Sequence, residues 1–282
     1  MMFKRFTGKF SEYTMSDSRF IGDIITEADS YNLEQYLLND ILKLLDKIIL
    51  NRLSSDLLFQ KNYWSWGFIT TYYSNFYMAQ LLNRIVGSFY MYKNESFNKY
   101  ITYDKNLSLY NVPQNKNNEP SHLREFKRLK DNFSYTKTWN DIELKKLLDI
   151  INLESKDLLF KYTIDNEIQE SKIRNEINYR LKNYKEIEYS SKKNLQYSKI
   201  YKKIINGEFC NLKDERNFNI VQINQKRFLL LSILIKEIIA VNSAFKIKLN
   251  RLNESLEQKY ETEFHNVNQN IKTSIQGLLN EI

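Results

Sequence analysis

Apolar residues recur every three or four positions along most of this chain, and that spacing is the period of an amphipathic α-helix. One such run begins near Asn32 and predicts a long helix to about residue 60, with apolar positions at Leu33, Leu37, Ile41, Leu44, Leu45, Ile48, Ile49 and Leu53. The aromatic-rich segment 62–90 follows, and its length without a proline also favours a helix. The last run predicts a C-terminal helix, with apolar positions at Phe264, Val267, Ile271, Ile275 and Leu278.

Less regular segments supply the remaining elements. Ser121 is a suitable cap for a helix that follows it, and further helices are expected at 139–152, 168–184, 191–206 and 217–260. The segment 99–112 is instead typical of a β-hairpin, and the run 113–120, which holds both prolines, predicts a loop. The expected fold is therefore all-α: a helical bundle with a small inserted β-hairpin and a long C-terminal helical hairpin.

Composition narrows the chemistry that such a chain can perform. The 282 residues include only six glycines and two prolines, which again favours helices. The single cysteine, Cys210, excludes an intramolecular disulfide framework and a cysteine-based zinc cluster. His122 and His265 lie far apart without another His or Cys at metal-ligand spacing, and the glycine-rich phosphate loops are absent. We therefore expect neither a metal nor a cofactor.

Positive charge is concentrated in one part of the sequence. The net charge is +8, and the stretch 172–204 holds ten Lys and Arg residues against three Glu, with five tyrosines among them. Basic side chains neutralise phosphates and tyrosines stack on bases, so this stretch predicts an RNA-binding surface. Its proposed members are Lys172, Arg180, Lys182, Lys185, Lys192 and Lys193. The alternative is that an AT-rich coding sequence, which favours Lys, Asn, Ile and Tyr, produces the basicity without selection for binding.

Hydropathy gives no sign of a membrane segment. The most apolar stretch, 227–245, is interrupted by Lys236 and Glu237 before it reaches the roughly 20 residues that a spanning helix needs. The N-terminus lacks the continuous apolar run of a secretory signal. We expect a soluble, cytoplasmic protein without membrane contact.

Two separated segments resemble the helices of HEPN domains. The stretch "TTYYSNFYMAQLLNRIVG" (70–87) is similar to the second helix of that family, and "IRNEINYR" (173–180) is similar to its motif helix. Arg174, Asn178 and Tyr179 fit the pattern of one branch, although Ile177 stands where that branch prefers a small residue. The resemblance implies a HEPN-like bundle over 1–206 with an insertion at 93–165, followed by a C-terminal extension over 207–282.

This resemblance also implies a function. HEPN domains commonly dimerise, and many cleave RNA without a metal, some of them in antiphage defence or toxin–antitoxin systems. The motif arginine, here Arg174, would stabilise the phosphate transition state. No histidine lies in the motif of this chain, and Asn178 and Tyr179 are the nearest candidates for its place. The implied protein is therefore a homodimer that either cleaves RNA or only binds it.

Two questions stay open at this level. His122 lies beside the polar loop and two residues before Arg124, so general acid–base chemistry and an ordinary position at a helix start both fit it. The alternative function is a non-enzymatic helical protein that binds a protein partner through 217–280. RNA chemistry requires Arg174 to face solvent in a cleft, whereas the alternative predicts a paired Arg174 and an exposed apolar stripe on the last helices.

Overall fold

The computed structural model describes Phe6 and residues 27–92, 98–104, 109–111, 121–133, 167–179, 191–208 and 217–279. Within these residues the chain forms eight helices and one three-stranded antiparallel sheet, which confirms the all-α fold class with an inserted β element. The helices are α1 (Glu27–Gln60), α2 (Trp64–Val86), α3 (Ser121–Phe133), α4 (Glu167–Tyr179), α5 (Ser191–Ile205), α6 (Phe218–Val241), α7 (Ser243–Thr262) and α8 (Gln269–Leu279). The strands are β1 (Ser88–Tyr92), β2 (Asn98–Asp104) and β3 (Leu109–Asn111).

Helix α2 lies at the centre of the bundle. It packs against α1, α3, α4 and α6, and most of its side chains are buried all round. This explains its aromatic and apolar content, because a helix covered on every side carries no polar stripe. The turn from α1 is short because Asn62 adopts a left-handed φ of 61°, a conformation that asparagine tolerates well. Gly67 then lets the Phe59 ring approach, since a Cβ there would lie 2.3 Å from Phe59 Cε1.

The sheet is one strand larger than the predicted hairpin. Helix α2 ends at Gly87, whose φ of 85° allows its N–H to reach the carbonyls of Asn83 and Arg84. The chain then continues as β1, which pairs antiparallel with β2, and β2 pairs with β3. The prediction of helix to residue 90 was therefore wrong over its last residues, because the left-handed glycine redirects the chain into a strand.

The long helix predicted over 217–260 is two helices. It breaks at Asn242, whose backbone is extended and whose Oδ1 accepts a 2.8 Å hydrogen bond from the Phe245 N–H at the start of α7. The Asn242 side chain also donates to the Phe6 carbonyl at 2.6 Å. Helix α8 begins at Gln269, five residues after the predicted start at Phe264. Buried side chains of α6, α7 and α8 belong to the same hydrophobic cluster as those of α1 and α2.

The remaining predictions have mixed outcomes. Helix α5 ends just before Asn206-Gly207 as predicted, with Gly207 at a left-handed φ of 85°. The helix predicted at 139–152, the loop predicted at 113–120 and the end of the motif helix at 180–184 lie outside the described residues. In the described part of the chain, no helix is long and apolar enough to cross a membrane.

Candidate functional site

Helix α4 carries the predicted motif and presents two different faces. Ile173 and Ile177 are buried in the core, so the isoleucine that departs from the family pattern serves to pack the helix. Ser171, Arg174 and Asn178 recur at three and four residues and share another face. That face runs along the contact of α4 with α2 and α3.

A buried ion pair anchors α4 to the bundle. Glu170 accepts hydrogen bonds from Arg227 of α6 at 2.7 and 3.1 Å, and both side chains are almost completely buried. Asn75 of α2 donates to the same carboxylate at 3.1 Å. Asn224 donates in turn to the Asn75 side-chain oxygen at 2.9 Å. Since Glu170 precedes Arg174 by one helical turn, this network orients the face on which Arg174 lies.

Arg174 contacts two tyrosines, and one of them, Tyr72, is hydrogen-bonded to His122. Its Nη2 donates to the Tyr73 hydroxyl at 3.5 Å, and its guanidinium carbon lies 5.7 Å from the centre of the Tyr72 ring. The Tyr72 hydroxyl is 3.1 Å from His122 Nδ1 and 3.4 Å from Ser171 Oγ. We call these five residues, Tyr72, Tyr73, His122, Ser171 and Arg174, the Arg174–His122 cluster. They come from α2, α3 and α4, and Arg174 is partly exposed.

His122 is held in a defined orientation. Its ring stacks on Phe76 with 4.0 Å between centroids and lies nearly parallel to Tyr72 at 5.8 Å. Burial lowers the pKa of His122, and the positive charge of Arg174 lowers it further. Burial raises the pKa of Tyr72 to about 12, so that hydroxyl stays protonated at neutral pH. His122 is therefore a neutral imidazole under physiological conditions.

The hydrogen bonds of the cluster set up a proton acceptor. When His122 Nδ1 carries the hydrogen, it donates to the Tyr72 oxygen, and the Tyr72 hydroxyl donates onward to Ser171. The lone pair then lies on Nε2, for which the described residues provide no hydrogen-bond donor. A neutral imidazole beside a permanently charged guanidinium is suited to accept a proton next to an anionic group.

Of the other predicted site residues, Lys172, Asn178 and Tyr179 lie on α4, and Lys193 lies on α5. Asn178 is exposed one turn beyond Arg174, and Tyr179 is 74 % exposed at the end of α4. Lys172 is exposed on α4 and Lys193 is partly exposed on α5. Arg180, Lys182 and Lys185 lie outside the described residues, as does the side chain of Lys192.

Sequence reasoning missed the partners of Arg174. His122 was noticed, but nothing in the sequence joined it to a helix that begins 45 residues later. Tyr72 and Tyr73 belong to an aromatic segment whose spacing predicts buried core residues. Only the packing of α2 against α4 shows that their hydroxyls also contact the residues of the cluster. The one available signal was that His122 starts a helix beside a polar loop.

Neither metal chemistry nor a known relative identifies this site. The described residues contain no group of three or more His, Cys, Asp or Glu side chains that could hold a metal ion. Comparison with known proteins gave no match to a family model, a curated protein or a solved structure. The resemblance to HEPN domains therefore rests on the two sequence segments, and the site is defined by its own geometry.

Proposed function

We propose that this protein binds RNA and cleaves it without a metal, as a HEPN-like ribonuclease in a defence or toxin–antitoxin setting. The observation that carries the proposal is the approach of His122 to the motif helix of Arg174. The motif lacks a histidine in sequence, and α3 supplies one from elsewhere in the fold. Arg174 and His122 then take the two roles that metal-independent RNA cleavage requires.

The reaction is an internal transfer at one phosphodiester. His122 Nε2 accepts the proton of a ribose 2′-hydroxyl, and the 2′-oxygen forms a bond to the adjacent phosphorus. The bond from phosphorus to the 5′-oxygen breaks, and that oxygen takes a proton from water or from the imidazolium. The products are a 2′,3′-cyclic phosphate and a free 5′-hydroxyl. Arg174 stabilises the added negative charge on the phosphoryl oxygens, an effect worth about 3 to 4 kcal/mol for one well-placed donor.

Exposed basic and aromatic side chains supply the RNA-binding surface in this proposal. Lys172 and Tyr179 flank Arg174 on α4, and Lys193 lies on α5. Trp66, at the start of α2, is 55 % exposed although most of that helix is buried. Exposed aromatic rings stack on unpaired bases, which favours single-stranded RNA and RNA loops over duplexes. A homodimer, as the resemblance implies, would place two such surfaces in one particle.

The test is cleavage of labelled tRNA and single-stranded RNA by the full chain, in the presence of a chelator. Arg174→Ala and His122→Ala are compared with Arg251→Ala, which removes an exposed arginine on α7 away from the cluster. We expect wild type and Arg251→Ala to cleave, with loss of about a hundredfold or more in the other two variants. Product ends that are 2′,3′-cyclic phosphates identify the proposed chemistry.

Other outcomes separate cleavage from binding. If no variant cleaves but wild type binds RNA more tightly than Arg174→Ala, the cluster is a binding site without chemistry. If wild type neither cleaves nor binds RNA, the proposal is refuted.

The alternative, a protein partner for 217–280, has less support from the described surface. It requires a continuous exposed apolar stripe on the last helices. Among the described residues of α6, α7 and α8, the exposed large apolar side chains are Leu229, Val241 and Ile247. Leu229 and Val241 lie more than three helical turns apart, so the three do not form a continuous stripe. The apolar positions of α8 are instead buried in the common core.

A further inference from the structure

A cavity of about 370 Å³ lies between α1, α5, α6 and α8, apart from the residues of the Arg174–His122 cluster. This volume falls within the range of small-molecule sites. Three cationic side chains line it, Arg52, Lys226 and Lys236, together with one carboxylate, Glu208. The lining therefore carries an excess of two positive charges.

Arg52 is an unusual residue to find in such a wall. It is only 2 % exposed, and its guanidinium donates to the side-chain oxygens of Asn224, at 2.5 Å, and Gln225, and more weakly to Ser274 Oγ at 3.5 Å. All three acceptors are neutral. The Arg52 Nε is buried without a hydrogen-bond partner in the described part of the chain. The charge is therefore hydrogen-bonded but not neutralised by direct contact with a carboxylate.

The nearby carboxylate is already engaged. Asp56 lies one turn along α1 and acts on Arg52 through its charge. Its oxygens accept from the Tyr201 hydroxyl at 2.5 Å, the Asn268 N–H at 2.6 Å and the Gln60 side chain at 2.7 Å. Burial lowers the pKa of Arg52 to about 10, so it remains a cation at neutral pH. A buried cation without a directly bonded carboxylate is costly, and a bound anion would offset part of that cost.

Apolar side chains form much of the remaining lining, and the cavity has room between them. Leu229 and Leu278 line the cavity. The Phe228 ring packs against the Arg52 guanidinium, and its centre lies 4.3 Å from Arg52 Cζ. Gly277 of α8 forms part of the wall without a side chain, and a Cβ there would have no neighbour within 4 Å. Such a site places a charged head near the cations and an apolar body against the leucines.

We propose that this cavity binds a small phosphate monoester with an apolar or aromatic body, whose phosphate interacts with Arg52 and Lys226. The dianionic charge of a phosphate monoester matches the excess of two positive charges, whereas a carboxylate would leave half of it uncompensated. This proposal does not depend on RNA cleavage.

The experiment is isothermal titration calorimetry of the full chain with phenyl phosphate, inorganic phosphate and benzoate. We expect phenyl phosphate to bind more tightly than inorganic phosphate, which lacks the apolar body, and than benzoate, which lacks the second charge. Lys226→Gln should weaken the binding of phenyl phosphate by about tenfold or more, because a charge-assisted hydrogen bond is lost. Gly277→Phe, which fills the cavity, should abolish binding. Lys61→Gln, an exposed lysine at the turn between α1 and α2, is the matched control and should bind as wild type.

Each of the other results overturns the proposal or its phosphate assignment. Absence of phenyl phosphate binding to wild type at millimolar concentration rejects the site. Undiminished binding to Lys226→Gln places the probe elsewhere, and this variant serves if Gly277→Phe fails to fold by circular dichroism. Tighter binding of benzoate than of phenyl phosphate refutes the proposed preference for a dianionic phosphate group.

Discussion

Replacement of Glu170 by alanine tests the contact that orients the motif helix. Arg227 is fully buried, and its two hydrogen bonds to Glu170 join α6 to α4. Glu170→Ala removes the only carboxylate bonded to that guanidinium among the described residues. Phe126, whose ring centre lies 5.3 Å from the Arg227 carbon, offers a weak cation–π contact but no hydrogen-bond acceptor.

The expected loss of stability is large because the remaining charge stays buried. Removing one partner of a buried ion pair costs about 3 to 5 kcal/mol in the free energy of unfolding. Asn75 also loses one of its two acceptors, although its bond to the Ile220 carbonyl at 3.0 Å remains. The free energy of unfolding of a small domain is roughly 5 to 15 kcal/mol, so this single change removes a substantial fraction of the stability.

Urea unfolding followed by circular dichroism measures the effect. The control is the double variant Glu170→Leu with Arg227→Met, which replaces both charged side chains by apolar side chains of similar size. We expect this double variant to lie within about 1 to 2 kcal/mol of wild type, since paired charges can be replaced together at small cost. A loss below about 1 kcal/mol for Glu170→Ala, or a double variant less stable than the single one, would refute the buried pair.

Two further predictions concern glycines and pH. Gly67→Ala should lower the free energy of unfolding by about 1 to 3 kcal/mol, because its Cβ would lie 2.3 Å from Phe59. Gly277→Ala should raise the free energy of unfolding by up to about 1 kcal/mol, because no atom lies within 4 Å of the added Cβ and alanine favours the helix. Thermal unfolding separates the two, and a stabilised Gly67→Ala would contradict the close approach. For His122, the folded pKa lies below the ordinary value of 6.5, so its contribution to stability is present above pH 6.5 and is lost as pH falls from 6.5 towards the folded value. Cleavage should likewise rise with pH below 6.5. His122→Gln should reduce the difference in the free energy of unfolding between about pH 5 and 8, measured with urea, and an unchanged difference would contradict the neutral imidazole.

Local periodicity was enough to predict most of the helices. The runs at 32–60 and 191–206 have one apolar face each, and the structure places both as helices with bounds close to those expected. Errors arose where one residue changes the chain direction. Gly87 ends α2 through a left-handed φ, and Asn242 breaks the long C-terminal segment by capping the next helix with its side chain. Glycine and asparagine often end or cap helices, but the apolar residues on both sides of Gly87 and Asn242 keep the helical spacing and predict an unbroken helix.

The sequence by itself determined the helical class and the basic character of 172–204, and it predicted Arg174 as a site residue. Only the tertiary structure decided that Arg174 contacts two tyrosines, one of them bonded to His122, and that Arg52 lines a cavity without a carboxylate bonded to it. The physical reason is that periodicity records which face of a helix is buried, and it contains no information on which other helix covers that face. The partners of Arg174 lie about 50 and 100 residues away, and their approach depends on the packing of α2, α3 and α4 and on the buried bond of Glu170 to Arg227.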